Sequence, residues 1–290
     1  MSAYITHLLI IIAIYALLAV SYNLMLGYTG LLNLAPIALF GIGAYTSALL
    51  IMKLGAPYLV ALLAAGVLSA ILAALLMGAT KHIKGDYLAL ATFAFSYVAA
   101  SIMLNWTSLT RGPLGIPGIP KPELLGLSIH TQNSYLALTI ILVTISIFIL
   151  TKIANSPFGR ALQAVRDDEI GAAALGKNVV GLQLKATTIS AFFIGIAGSL
   201  YAHYITYIDP SSFSLLELIL LLTIVIVGGL ASMKGSIIGA AIILLIPEAL
   251  RFLAIPSAVL GPTRQIIYAL ILIAILLYAP KGLYGKVKLQ

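Results

Sequence analysis

"LLIIIAIYALLAV", residues 8–20, places thirteen apolar residues in a row. A strand of a membrane barrel would alternate apolar and polar residues over about ten positions. This run does not alternate, so a barrel is excluded. Widened to 7–26, it reaches the roughly 20 residues of helix needed to cross a bilayer. Eight more runs follow at about 34–52, 57–78, 87–106, 134–153, 183–205, 213–231, 235–253 and 264–279. A backbone in lipid must satisfy its own hydrogen bonds, so each run is expected to be a helix. The expectation is an all-α, polytopic bundle of about nine spans (eight to ten), forming a single transmembrane domain over residues 1–290.

Composition agrees. The chain is 62% hydrophobic and 8% charged, whereas soluble domains carry about a quarter charged residues. It has no cysteine, which excludes disulfides, thiolate chemistry and Cys-ligated metals. His7, His82, His130 and His203 are scattered without metal-ligand spacing, so no metal site is expected. The opening "MSAYITH" lacks a basic leader region, and the first run reads as a permanent span.

The net charge of +8 is a topology signal and does not point to nucleic acid. With alternating spans, eleven of the sixteen Lys and Arg fall on one side, among them Lys81, Lys152, Arg160, Arg166, Lys177, Lys234 and Lys281. Lys53, Arg111, Lys121, Arg251 and Arg264 fall on the other. Cytoplasmic loops collect positive charge. This predicts a multi-pass protein of the cell membrane with residues 156–180 and the C-terminus in the cytoplasm. The loop 107–133, rich in Pro and Gly, is expected outside and without a long helix.

The stretch 22–50 breaks its apolar run with Gly27, Gly30, Pro36, Gly41 and Gly43, beside Asn23, Asn33 and Thr46. Interrupted helices can expose backbone dipoles to a polar solute; small residues also let helices pack closely. Both readings stand. Among the acids, Asp86 is expected to cap a helix and Asp209 to cap the turn before Pro210. Glu217, about one turn inside a span, is a pathway residue or an acid reaching the interface. Glu248 and Arg251 are spaced to pair on one helix face.

The polar exception is "SPFGRALQAVRDDEIGAAALGKNVVGLQLKA", residues 156–186. Ser156-Pro157 is a helix start, helix formers run to Leu175, and Gly176 suits a stop. Phe158, Ala161, Leu162, Val165 and Ala172 mark an apolar edge. So many charges exclude burial in lipid, and three adjacent acids argue against anionic headgroups. A mixed-charge helix with an apolar edge suits a protein groove. "GAAALGKN" (171–178) nearly spells a phosphate loop, but Asn178 stands where the hydroxyl residue belongs and no strand precedes it. No catalytic constellation is present.

Four stretches together resemble the permease subunits of branched-chain amino-acid ABC importers: "LGYTGLLNLAPIALFGIGAYTSALL" (26–50), "KGDYLALATFAF" (84–95), residues 156–202, and "DPSSFSLLELILLLTIVIVGGLASMKGSIIGA" (209–240). The resemblance implies a non-enzymatic transport subunit. It further implies two ABC ATPase subunits that bind the ATP, a second and different permease chain, and an extracytoplasmic substrate-binding protein, all in membrane lipid. It assigns Gly159, Arg160, Arg166, Asp167, Asp168, Glu169 and Gly176 to coupling with the ATPase. Candidate pathway residues are Asn23, Asn33, Gly41, Gly43, Thr46 and Glu217. The family often has Gly-His where this chain has Ala35-Pro36, Ser where it has Asn33, and Glu where it has Asp167. Related permeases carry urea or short amides, which stays open beside branched-chain amino acids. An ion-coupled carrier is the remaining alternative.

Overall fold

The computed structural model describes residues 2–83, 85–124, 127–129, 131–251, 257–279 and 281–285. Among the described residues, six helices are long and apolar enough to cross a membrane: α1 (Ser2–Leu26), α2 (Pro36–Leu54), α3 (Tyr58–Thr80), α4 (Asp86–Asn105), α6 (Gln132–Asn155) and α9 (Val179–Ile205). Between them lie α5 (Thr107–Thr110), α7 (Pro157–Asp167) and α8 (Glu169–Ala174), and after them α10 (Leu215–Gly228), α11 (Met233–Arg251) and α12 (Ser257–Tyr278). Among the described residues, each of the nine expected apolar runs falls mainly on a helix. The last three supply shorter apolar stretches, 215–228, 233–246 and 266–275.

Helix ends follow local chemistry. Pro36 opens α2, and Gly55, in the left-handed region, closes it by donating to the Ile51 carbonyl. Contrary to the expectation from the sequence, Asp86 does not cap α4. Gly85 holds the cap position and Asp86 is the first helical residue, where its charge meets the positive helix end. The helix expected from 157 to 175 is also broken. Asp168 turns extended (φ −154°, ψ 100°) and its carboxylate accepts from Gly171 N at 2.9 Å, starting a new helix. A short acidic side chain competes with helical backbone bonding in this way.

The break between α1 and α2 is buried at Thr29, Asn33 and Ala35, with Gly30 and Leu32 exposed, so its inner backbone groups need partners. They find them in side chains. Tyr22 donates to the Asn33 carbonyl (2.9 Å), Thr92 Oγ1 accepts from Leu34 N (2.9 Å), and Ser96 donates to the Leu34 carbonyl (2.9 Å). Irregular backbone inside a membrane protein is tolerated where it is buried in protein like this.

The centre is a crossing of α2, α3 and α9. A Cβ on Gly195 would lie 2.4 Å from the Ala65 carbonyl oxygen, and one on Gly43 2.4 Å from the Gly195 oxygen. Only glycine permits that approach, as in small-residue membrane interfaces. Buried residues from α1, α2, α6, α9, α10 and α11 make one continuous apolar cluster.

One end of the bundle joins Thr6 to Asn133 (3.3 Å) and His7 to Tyr204 (2.6 Å). The loop 107–133 covers it with two short strand pairs. β1 (Ile116–Pro117) pairs with β4 (Tyr207–Ile208), and β2 (Glu123–Leu124) with β3 (Leu127–Ser128). At the other end lie α7 and α8, the α10–α11 turn and residues 281–285. Leu283 N and Tyr284 N donate to the Val227 and Gly228 carbonyls, capping α10. The Glu248–Arg251 pair cannot be placed, because the Arg251 side chain lies outside what the structure describes.

Candidate functional site

Residues 156–180 form two short helices between α6 and α9. Ser156 Oγ accepts from Gly159 N (3.4 Å), Asp168 Oδ1 from Gly171 N (2.9 Å), and Asn178 Oδ1 from Gly181 N (2.9 Å). Three side-chain caps thus open α7, α8 and α9 in turn. Gly176, at φ 77°, closes α8 as the sequence suggested. Val165, Ala172 and Val179 bury together against Leu182, so the segment has a small core of its own.

The expected coupling residues separate into two groups. Arg160, Asp167, Asp168 and Gly176 are exposed and Glu169 is half-buried. Gly159 is buried, because a Cβ there would lie 2.0 Å from the Ala154 oxygen; it lets α7 fold back on the end of α6. Arg166 is only 12% exposed. Its Nη1 donates to the Gly27 carbonyl (2.9 Å) and its Nε and Nη2 to Asp167 Oδ1 (2.9 and 2.8 Å). The aliphatic part of Arg166 covers Gly30, whose φ is 74°. Arg166 therefore fastens the segment to the end of α1.

Two side chains missed in the sequence dominate the exposed surface. Ile170 is 83% and Leu175 82% exposed. They flank the buried Ala172. Their signal was available: large apolar residues off the buried edge of the most charged stretch.

The candidate pathway residues are not brought together. Asn23 is fully buried and joins α1 to the α10–α11 turn. Its Nδ2 donates toward Gly229 O, Ser232 O and Ser236 Oγ (3.2, 3.1 and 2.7 Å), and its Oδ1 accepts from Ala231 N (3.0 Å). No polar atom of its side chain is left for a solute. Gly41 faces the Phe213 ring and Gly43 the Gly195 backbone, so close packing accounts for both. Thr46 donates to the Ile42 carbonyl (2.6 Å). Asn33 Oδ1 accepts from Ala35 N (2.9 Å), while its Nδ2 is buried without a partner among the described residues. Glu217 accepts from Tyr15 (2.8 Å). Tyr15 lies near the middle of α1, which puts this carboxylate at mid-height in the bundle. Asp209 caps its turn as expected, accepting from Ser212 N (3.0 Å) and from the hydroxyls of Ser211 and Ser212. Among the described residues no group of His, Asp and Glu has metal-binding geometry.

Residues 4–278 match the family model described as "Branched-chain amino acid transport system / permease component". The chain belongs to this family. Among its curated members, LivM of Salmonella typhimurium, a high-affinity branched-chain amino acid transport system permease protein, is 34% identical over 262 residues. That alignment covers 82% of this chain and 61% of LivM. LivH of Escherichia coli, a permease protein of the same kind, is 28% identical over 298 residues, covering 95% of this chain and 92% of LivH. A probable LivM of Methanocaldococcus jannaschii is 24% identical over 236 residues, 78% of this chain and 67% of that protein. No solved structure matches the chain. Family membership and the six long apolar helices among the described residues make this a multi-pass membrane protein.

Proposed function

We propose that this chain is a membrane subunit of an ATP-driven importer of branched-chain amino acids, and that α7–α8 is its handle for a separate ATPase. The exposure of Ile170 and Leu175 carries the docking reading. Two large apolar side chains stand in solvent on a helix pair whose own core is already closed. Exposed apolar residues rimmed by charge mark a protein contact. Arg160, Asp167, Asp168 and Glu169 supply the charged rim, which sets orientation more than affinity.

In this reading two ATPase subunits bind and hydrolyse ATP, a second permease chain completes the pathway, and an extracytoplasmic binding protein delivers the solute. The bundle crosses the membrane about nine times, with α10, α11 and α12 as the last three passes. The 156–180 segment and residues 281–285 face the cytoplasm, as the distribution of Lys and Arg favours. Closure of the ATPase pair displaces α7–α8, and the displacement passes to α6 and α9 through the chain and to α1 through Arg166. Rigid movement of helices then switches access. The pathway includes Glu217 at mid-height for the ammonium group of the solute, with Asn33, whose Nδ2 is buried without a partner among the described residues, as a polar group. Asn23, Gly41 and Gly43 act by holding helices together.

Co-purification with the ATPase subunits tests the reading. Ile170→Asp with Leu175→Asp should abolish association while membrane expression and Tm stay unchanged. Undiminished association would remove the docking claim. Binding-protein-dependent uptake of leucine in proteoliposomes, against urea as competitor, tests the solute.

A further inference from the structure

A groove of about 560 Å³ opens between α2, α3 and α4 at the end of the bundle opposite α7–α8. Leu68, Leu72 and Phe95 line it midway along α3 and α4, and Lys53 and Trp106 line it where α2 and α4 end. The polar groups along it are few. Thr46 donates to the Ile42 carbonyl within its own helix, and Thr110 to the Met103 and Trp106 carbonyls. Both hydroxyls are therefore engaged. Tyr45 also lines the groove, but it is 4% exposed and its hydroxyl is buried, so the groove wall it presents is apolar.

We infer that this groove holds one anionic phospholipid, an acyl chain lying along Leu68, Leu72 and Phe95 and the phosphate at Lys53. The chemistry of each part matches. An apolar trough on a membrane-spanning bundle suits a hydrocarbon chain. Trp106 carries the amphipathic ring that settles at headgroup level. Lys53 Nζ donates to the Ser108 carbonyl (3.2 Å), which points the ammonium to the outer end and leaves further hydrogens for a phosphate. A zwitterionic amino acid fits poorly, since the walls offer its carboxylate one lysine and its ammonium nothing. The site rests on membrane embedding alone and does not depend on ATPase docking.

Trp106 is the only tryptophan in the chain, so its fluorescence reports on this groove. The full chain is reconstituted in phosphatidylcholine vesicles containing a minor fraction of brominated lipid. Brominated phosphatidylglycerol should quench Trp106 with about five-fold preference over brominated phosphatidylcholine, the weight of one lysine near an anionic headgroup. Lys53→Gln should remove the preference and Lys53→Arg should keep it. Ala99→Leu, which fills the groove, should reduce quenching by both lipids. Equal quenching by both lipids in the unaltered chain overturns the inference, as does a preference that survives Lys53→Gln. Shielding of Trp106 from both lipids on addition of the second permease chain also overturns it, by showing the groove to be a protein interface.

Discussion

Arg166 reaches across 139 positions of sequence to the carbonyl of Gly27, at 2.9 Å. The same guanidinium grips Asp167 with two nitrogens on one carboxylate oxygen. A residue expected on the docking surface is thereby an internal fastening between α7 and α1.

Arg166→Ala should loosen that fastening and cost about 1–3 kcal/mol, the range for a charge-assisted hydrogen bond left unmade. Proteolysis within 156–180 should accelerate while the rest of the bundle stays protected. Arg166→Lys should fall between, because a compact ammonium lacks the planar guanidinium fork that spans the Gly27 carbonyl and the Asp167 carboxylate. Identical cleavage rates in all three proteins would count against the fastening.

Asn23→Ala should be among the most damaging substitutions in α1. It strands Ala231 N and strips the Gly229 and Ser232 carbonyls and the Ser236 hydroxyl of a donor. With about 1–3 kcal/mol for each buried group left unsatisfied, a loss of about 3 kcal/mol or more is expected. Asn23→Asp keeps the acceptor for Ala231 N but lacks the amide hydrogens, and should also destabilise. The Tm in detergent decides; a shift within error for both variants would discard the clasp.

Gly195→Ala puts a methyl group 2.4 Å from the Ala65 carbonyl oxygen and 2.6 Å from Ser69 Oγ. Overpacking of this kind costs about 1–3 kcal/mol. Gly55→Ala serves as the comparison, since no atom lies within 4 Å of a Cβ there. Only its left-handed backbone (φ 61°) would resist substitution. Gly195→Ala should lower Tm more and also weaken the Ser69 bond to Leu39 O. Equal Tm losses would contradict the crowding at the α2–α3–α9 crossing.

Asp209 gives a pH dependence. Burial alone would raise its carboxyl, but bonds from Ser211 and Ser212 outweigh this and hold it below the usual carboxylate range. Its folded pKa is therefore lower than its unfolded value of about 3.9. The stabilisation is complete above that unfolded value and is lost as pH falls through the folded one. Tm should drop on acidification below about pH 4, and Asp209→Asn should flatten that part of the curve. A variant profile parallel to the parent's would refute the assignment.

What could be read in the sequence was local. Ser156-Pro157 and Gly176 bound the segment as their chemistry predicts, and the continuous runs became helices. Asp168 escaped because an acid after Asp167 can either extend a helix or start one, and only the accepting contact from Gly171 decides. Asn23 and Gly43 escaped for another reason. Their partners stand 206 to 213 positions away for Asn23, and at Gly195 for Gly43. A polar or small residue in an apolar run has the same local signature whether it lines a pathway or joins two helices. Ile170 and Leu175 were legible as large apolar residues off the edge marked by Val165 and Ala172, and were passed over beside the charges.

The α7–α8 pair is tied down at three places: to α6 by the chain at Ser156, to α9 at Asn178, and to α1 by Arg166. A flap needs a single axis about which to swing, and three separated anchors deny it one. The pair is a tripod, so a push on it is carried into three long helices at once.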